Sequence, residues 1–297
     1  SHDEQYLLSS EPAVVEVTLG GRIAPAYREW YAQNGAAATA ISNNGRYVVG
    51  AYDKQGFVLD LELDQMNPIM NAEFYDVSDS GIAVGSNHAA NLDGVAAYYK
   101  DGEVVDVSFD EFLSSADNCG GAALVAIMPD ASFAVGWLWD YGDTDYTSTY
   151  GMMIPVKYDF ATDEVSVLPA GDFKYVGEHR VGLVPKCIAS DGVILGYDYS
   201  YDMFSGVWNS AEEEFEYLLL EVDDKGLPLK TIGDSNNRMS QDGRYVYGIA
   251  KNYSNNIAKE VAAAYDREAG EIIYVGGATV TAMTDAGIAF INDAPYY

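Results

Sequence analysis

The sequence predicts an all-β protein, a six-bladed β-propeller of four-stranded antiparallel blades. Three observations predict it. Six times a short apolar run meets a Ser/Asp/Asn-Gly-type turn and then a second apolar run, most clearly at 40–50 and 239–248. Gly45 of the first turn has counterparts at Gly81, Ala131, Gly192, Gly243 and Gly287, a mean spacing of about 48 residues, which suits four strands plus turns. The runs are β-branched or aromatic and bounded by Gly, Asn and Asp, and helical periodicity is scarce.

In chain order, the first unit reads as strand A over 37–42, B over 46–51, C over 56–61 and D over 65–70. Residues 109–116 read as one or two helical turns. The third unit runs 125–128, 133–138, 152–158 and 164–168; the fourth 186–189, 193–197, 206–208 and 214–219; the fifth 238–240, 244–249, 261–265 and 271–275. The sixth supplies only A and B, over 282–291. The segment 5–17 looks like a C–D pair and is comparable to 97–107, so the last blade is expected to combine N-terminal strands C and D with C-terminal strands A and B. That closure leaves no open sheet edge, and it makes residues 1–297 one propeller domain. A β-helix or a sandwich does not explain why the two half-units complement each other.

The run Ser-x-Asp-Gly, then an apolar stretch to Gly, then Ala-Ala-Tyr-Tyr-x-Asp-Gly-x-Val-x-Asp-Val at 96–107, resembles the HAF-type repeat of bacterial extracellular proteins. It is also similar to propeller proteins exported by Bacteroidetes. Pro129-Asp130-Ala131 in the third turn and Phe290-Ile291 in the sixth unit depart from the pattern. The resemblance implies an exported binding or scaffold role and carries over no catalytic residue.

Composition narrows the partners. With 48% hydrophobic residues in 297 the chain buries a large core, and no run of 18 apolar residues is present to span a membrane. A formal net charge of -30 repels nucleic-acid phosphates and anionic lipid heads. Ser1-His2-Asp3-Glu4 lacks the layout of a signal peptide. The acidic, tyrosine-rich composition (24 Tyr against 10 Phe) fits an exported protein, periplasmic, secreted or a cell-surface lipoprotein, with its export signal expected upstream of Ser1. A monomer is expected. Cys119 and Cys187 read as two thiols, a bridge between neighbouring repeats being the alternative.

Candidate binding residues sit on the face that carries the long connections. Trp30, Tyr31, Trp139, Tyr141, Tyr146, Tyr199 and Tyr201 lie there beside carboxylates, a combination suited to stacking on sugars; packing of the loops is the plainer reading. The tight turns of the other face read as structural, and the Trp that usually follows a sialidase Asp-box is absent. Asp76 and Arg238 occupy equivalent positions in strand A of units two and five, opposite in a ring of six, and are expected to face each other at the channel. His179-Arg180 is a further polar centre in a long loop. No cofactor is expected; Ca²⁺ at 140–145 or at Asp223-Asp224 is the exception considered, against solvated acidic loops. No serine-nucleophile motif occurs. The functional expectation is a non-enzymatic propeller binding a protein or glycan on its long-loop face, the alternative a glycoside hydrolase or polysaccharide lyase with its site at the channel mouth.

Overall fold

The computed structural model describes residues 6–8, 14–16, 21–23, 37–52, 55–63, 65–89, 93–113, 119–142, 152–170, 182–198, 204–222, 228–232, 237–252, 259–275, 280–283, 285–287, 289–291 and 294–296. The chain divides into two compact units, Ser1–Ser166 and Val167–Tyr297, each built from antiparallel sheets in chain order.

In the first unit β1 (Tyr6–Leu8), β2 (Val14–Glu16) and β3 (Gly21–Ile23) form a three-stranded meander. Sheet one is β4 (Ala37–Ile41), β5 (Tyr47–Tyr52), β6 (Gln55–Asp60) and β7 (Gln65–Met70). Sheet two is β8 (Ala72–Val77), β9 (Ala83–Asn87), β10 (Val95–Lys100) and β11 (Glu103–Asp106). A 3-10 turn over Asp110–Phe112 follows, inside the segment expected to be helical. Sheet three is β12 (Cys119–Ile127), β13 (Phe133–Asp140), β14 (Met152–Asp159) and β15 (Glu164–Val167).

In the second unit sheet four is β16 (Leu183–Ile188), β17 (Ile194–Asp198), β18 (Ser205–Trp208) and β19 (Glu216–Tyr217). Sheet five has six strands, β20 (Leu219–Val222), β21 (Pro228–Ile232), β22 (Arg238–Met239), β23 (Tyr245–Asn252), β24 (Lys259–Asp266) and β25 (Glu271–Tyr274). Sheet six is β26 (Val280–Met283), β27 (Ala289–Ile291) and β28 (Ala294–Tyr296). Among the described residues no helix is long and apolar enough to cross a membrane.

Two expectations are corrected. The segment 220–236 is not a plain loop: β20 and β21 form a hairpin, and β21 pairs with β23 through Ile232↔Ala250, on the edge that β22 also uses further along. Strand A of sheet five is therefore built in two pieces. The terminal strands also differ from the expected shared blade, because β28 pairs with β27 through Ile291↔Ala294 and takes the edge intended for the N-terminal hairpin. The physical reason is local. The chain can reverse between Ile291 and Ala294, and a neighbour so close in sequence closes a hairpin at far lower entropic cost than a strand from the other end of the chain.

Burial is graded across each sheet. β6 is buried along almost its whole length, whereas β7, β11, β15 and β25 expose half or more of their residues. Inner strands covered on both faces need continuous apolar sequence, and Val48, Val49, Phe57, Phe74, Val84 and Leu124 supply it. The outermost strands are the ones that water reaches.

The glycine that closes strand B has a specific cause. The inner strands of sheets one to four carry a register shift, between Ala38 and Ala40, Phe74 and Asp76, Leu124 and Ala126, and Pro185 and Cys187. Each shift is a β-bulge that pushes backbone toward strand B. A Cβ on Gly85 would collide with the carbonyl oxygen of Glu73, and one on Gly136 with that of Ala123.

The tight turns share a second device. Ser42 Oγ accepts the Tyr47 N–H at 2.9 Å and meets Asn44 Oδ1 at 2.7 Å; Ser240 repeats this with Tyr245 and Asp242 at the same distances. Turns also bond to the next turn along. In the first unit the Asn44 N–H donates to Asp79 Oδ1 (2.7 Å) and the Asp79 N–H to the Pro129 carbonyl (2.9 Å). In the second unit the Ser190 N–H donates to the Gln241 carbonyl (2.7 Å) and the Asp242 N–H to Asp285 Oδ1 (3.0 Å).

Candidate functional site

Sheet two places four polar side chains together at the end of its inner strands away from the tight turn. Register sets Glu73 of β8 opposite Ser86 of β9, and the two-residue period of a strand carries His88 to the same side as Ser86. Tyr75 is the extra residue of the bulge. Its hydroxyl lies 3.0 Å from Glu73 Oε2 and 3.3 Å from Ser86 Oγ. Ser86 Oγ is 3.0 Å from His88 Nε2, which is 3.8 Å from Glu73 Oε2. The backbone holds the imidazole in place, since the His88 N–H donates to the Asn71 carbonyl at 2.6 Å and the ring lies where a side chain on Gly94 would stand.

Burial keeps the Tyr75 hydroxyl protonated by raising its pKa, so it serves as a donor to the Glu73 carboxylate. Ser86 is buried, while Glu73 and His88 are partly open to solvent. Glu73 approaches the same imidazole nitrogen that faces Ser86. A nucleophile triad needs the acid on the opposite nitrogen, where it fixes the tautomer and orients the ring. The arrangement is thus a donor–acceptor cluster, fitted to hold hydroxyl or amide groups.

Asp76 belongs to the same strand. Its carboxylate accepts the Val77 N–H (2.9 Å) and the Ile127 N–H of β12 (2.9 Å), which ties sheet two to sheet three. Burial outweighs those two bonds and pushes its pKa up to about 6. Arg238, in the second unit, is exposed on β22 and donates from Nη1 to the Asn237 carbonyl at 3.0 Å. Trp139 and Tyr141 stack at a tilt, 6.1 Å between ring centroids, and both crowd Gly120; Tyr141 is exposed. Asp140 accepts the Gly142 N–H at 3.0 Å. Trp30, Tyr31, Tyr146, His179, Arg180, Tyr199, Tyr201 and the Asp223-Asp224 pair lie outside the described residues. Among the described residues no three His, Cys, Asp or Glu side chains cluster as metal ligands. Cys119 and Cys187 form no disulfide.

Sequence reasoning named Asp76, Trp139, Tyr141 and Arg238 and missed Glu73, Tyr75, Ser86 and His88. The available signal was polar residues at alternate positions on two paired strands whose other positions are apolar. Using it requires the register.

No family model matches the chain, and no curated protein matches it in sequence. Solved structures do match. The β-propeller domain of the trilobed protease from Pyrococcus furiosus, which has an open velcro topology, is similar over 94% of this chain and 82% of its own, with 11% identity and a TM-score of 0.53. The chain has a β-propeller fold. TolB from Acinetobacter baumannii is similar over 92% of this chain with 12% identity and a TM-score of 0.51, and this chain spans 63% of the TolB chain. At such identities the likeness concerns the propeller scaffold alone.

Proposed function

We propose that the chain is an exported, monomeric, non-enzymatic six-bladed propeller that binds a glycan or protein ligand where the long connections of sheets two and three emerge. The three-stranded sheet six is its sixth blade, residues 1–297 are one propeller domain, and no cofactor is required. The observation that carries the reading is the Glu73–Tyr75–Ser86–His88 cluster, in which acceptors and donors converge at one end of two paired inner strands. A hydroxyl-rich ligand matches that set, and Trp139 and Tyr141 offer a stacking surface at the same end of sheet three.

A glycan array followed by calorimetry tests this. Glu73→Gln and His88→Ala are expected to weaken the best ligand at least about tenfold, with the melting temperature changed by less than about 1 °C. Ligand binding that both variants leave intact rejects the site. The enzymatic alternative, a carbohydrate-active hydrolase or lyase, rests on Glu73 and His88, a carboxylate and an imidazole 3.8 Å apart and both partly open to solvent, as proton-transfer groups. Oligosaccharide cleavage by the unmodified protein, lost in His88→Ala, would put it first.

A further inference from the structure

A cavity of about 310 Å³ opens between sheets two and three, beside the 3-10 turn and separate from the polar cluster. Its volume lies at the small end of the range for ligand sites. Val107, Phe109 and Leu138 form buried apolar walls, and Cys119 lines the same space. Asp106 and Asp110 stand at the rim, both exposed, and the Asn87 side-chain amide holds the Asp106 carboxylate at 2.8 Å. Among the described residues no Lys, Arg or His lines the cavity.

We infer that this cavity binds a small organic cation with an apolar body, of the arylalkylamine class. The walls reward an apolar ring, while a charge carried inside would lose its hydration without a partner. The ammonium therefore stays at the mouth, where two carboxylates, one already fixed in position, receive it. The net charge of -30 raises the local concentration of cations and disfavours the carboxylate analogue of the same ligand. The inference stands apart from the glycan reading, since it uses neither Glu73 nor His88.

Cys119 makes the site readable. Alkylation by N-ethylmaleimide, followed by peptide mass spectrometry with Cys187 as internal reference, reports occupancy of this cavity alone. Tryptamine at millimolar concentration is expected to slow labelling of Cys119 at least about fivefold and to leave Cys187 unchanged. The neutral isostere tryptophol should need about tenfold more ligand for the same protection, and 3-indolepropionate should give none. The double variant Asp106→Asn/Asp110→Asn, at exposed positions, should erase the difference between tryptamine and tryptophol without lowering the melting temperature. Equal protection by all three compounds, or protection of Cys119 by none, overturns the inference. If Cys119 resists labelling in the unliganded protein, calorimetric titration with tryptamine replaces it, and the absence of binding heat is the refuting result.

Discussion

Sheets one and five handle charge in one way and sheet two in another. In sheet one Arg46 forks onto Asp60 (2.8 Å), reaches Glu62 (2.7 Å) and lies 4.9 Å over the Tyr47 ring. In sheet five Arg244 does the same with Asp266 (2.7 Å), Glu268 (3.4 Å) and Tyr245 (4.9 Å). Tyr47 then covers Gly81 of the following turn, and Tyr245 covers Gly287. Sheet two has Ile82 after its turn glycine, where the other two have arginine. Its polar groups, Glu73, Tyr75, Asp76, Ser86 and His88, are gathered at the inner strands and their loop-bearing end. Chemistry that recurs from sheet to sheet holds the scaffold together. Chemistry that breaks the repeat is concentrated in sheet two.

The largest effect is expected at the bulge glycines, Gly85 of sheet two and Gly136 of sheet three. Gly85→Ala and Gly136→Ala should each cost about 3 kcal/mol in denaturant melts, since the backbone carbonyl they would strike has no room to retreat. A loss under about 0.5 kcal/mol at either would show that the bulge does not require glycine. Next comes Asp76, whose pKa stands at about 6 against 3.8 when unfolded. The fold favours its protonated form, so the penalty is present above pH 6 and gone below pH 4. Asp76→Asn should therefore stabilise the protein by about 1–2 kcal/mol at pH 7, after allowing for one lost acceptor, and the gain should vanish near pH 4 in urea melts. A gain independent of pH would contradict the buried ionised carboxylate.

The smallest effect sharpens the likeness between sheets one and five. The arginine hydrogen bonds hold the Asp60 and Asp266 carboxyls below the usual range, so their contribution is present at neutral pH and is lost as pH falls below about 4. Asp60→Asn and Asp266→Asn should each lower the melting temperature by about 1–3 °C at pH 7, less in high salt. Clearly unequal shifts would mean that the two clasps are not equivalent.

Much of the scaffold is legible from residue order. Strand D of sheet one spans Gln65–Met70 as expected, because Asp64 and Asn71 at its borders are residue types that strands disfavour. Ala40, Asp76, Ala126 and Cys187 each follow a bulge, although sequence offers no way to see the bulge itself. The hairpin of β20 and β21 was hidden by Asp223-Asp224-Lys225-Gly226, which reads as loop from either side. The polar cluster of sheet two was hidden for a different reason. Glu73 and His88 are 15 positions apart, and only the register of β8 against β9 makes them neighbours.

The bonds passed from one tight turn to the next bear on how such a chain could have arisen. Asp79 receives two hydrogen bonds from Asn44 and gives one to Pro129, so a single segment holds both halves of the connector. A gene duplication that copies the segment whole inserts a ready-made link on both sides. Ancestral copying in complete modules is therefore tolerated, whereas an excision cutting through a turn leaves the modules before and after it unmatched.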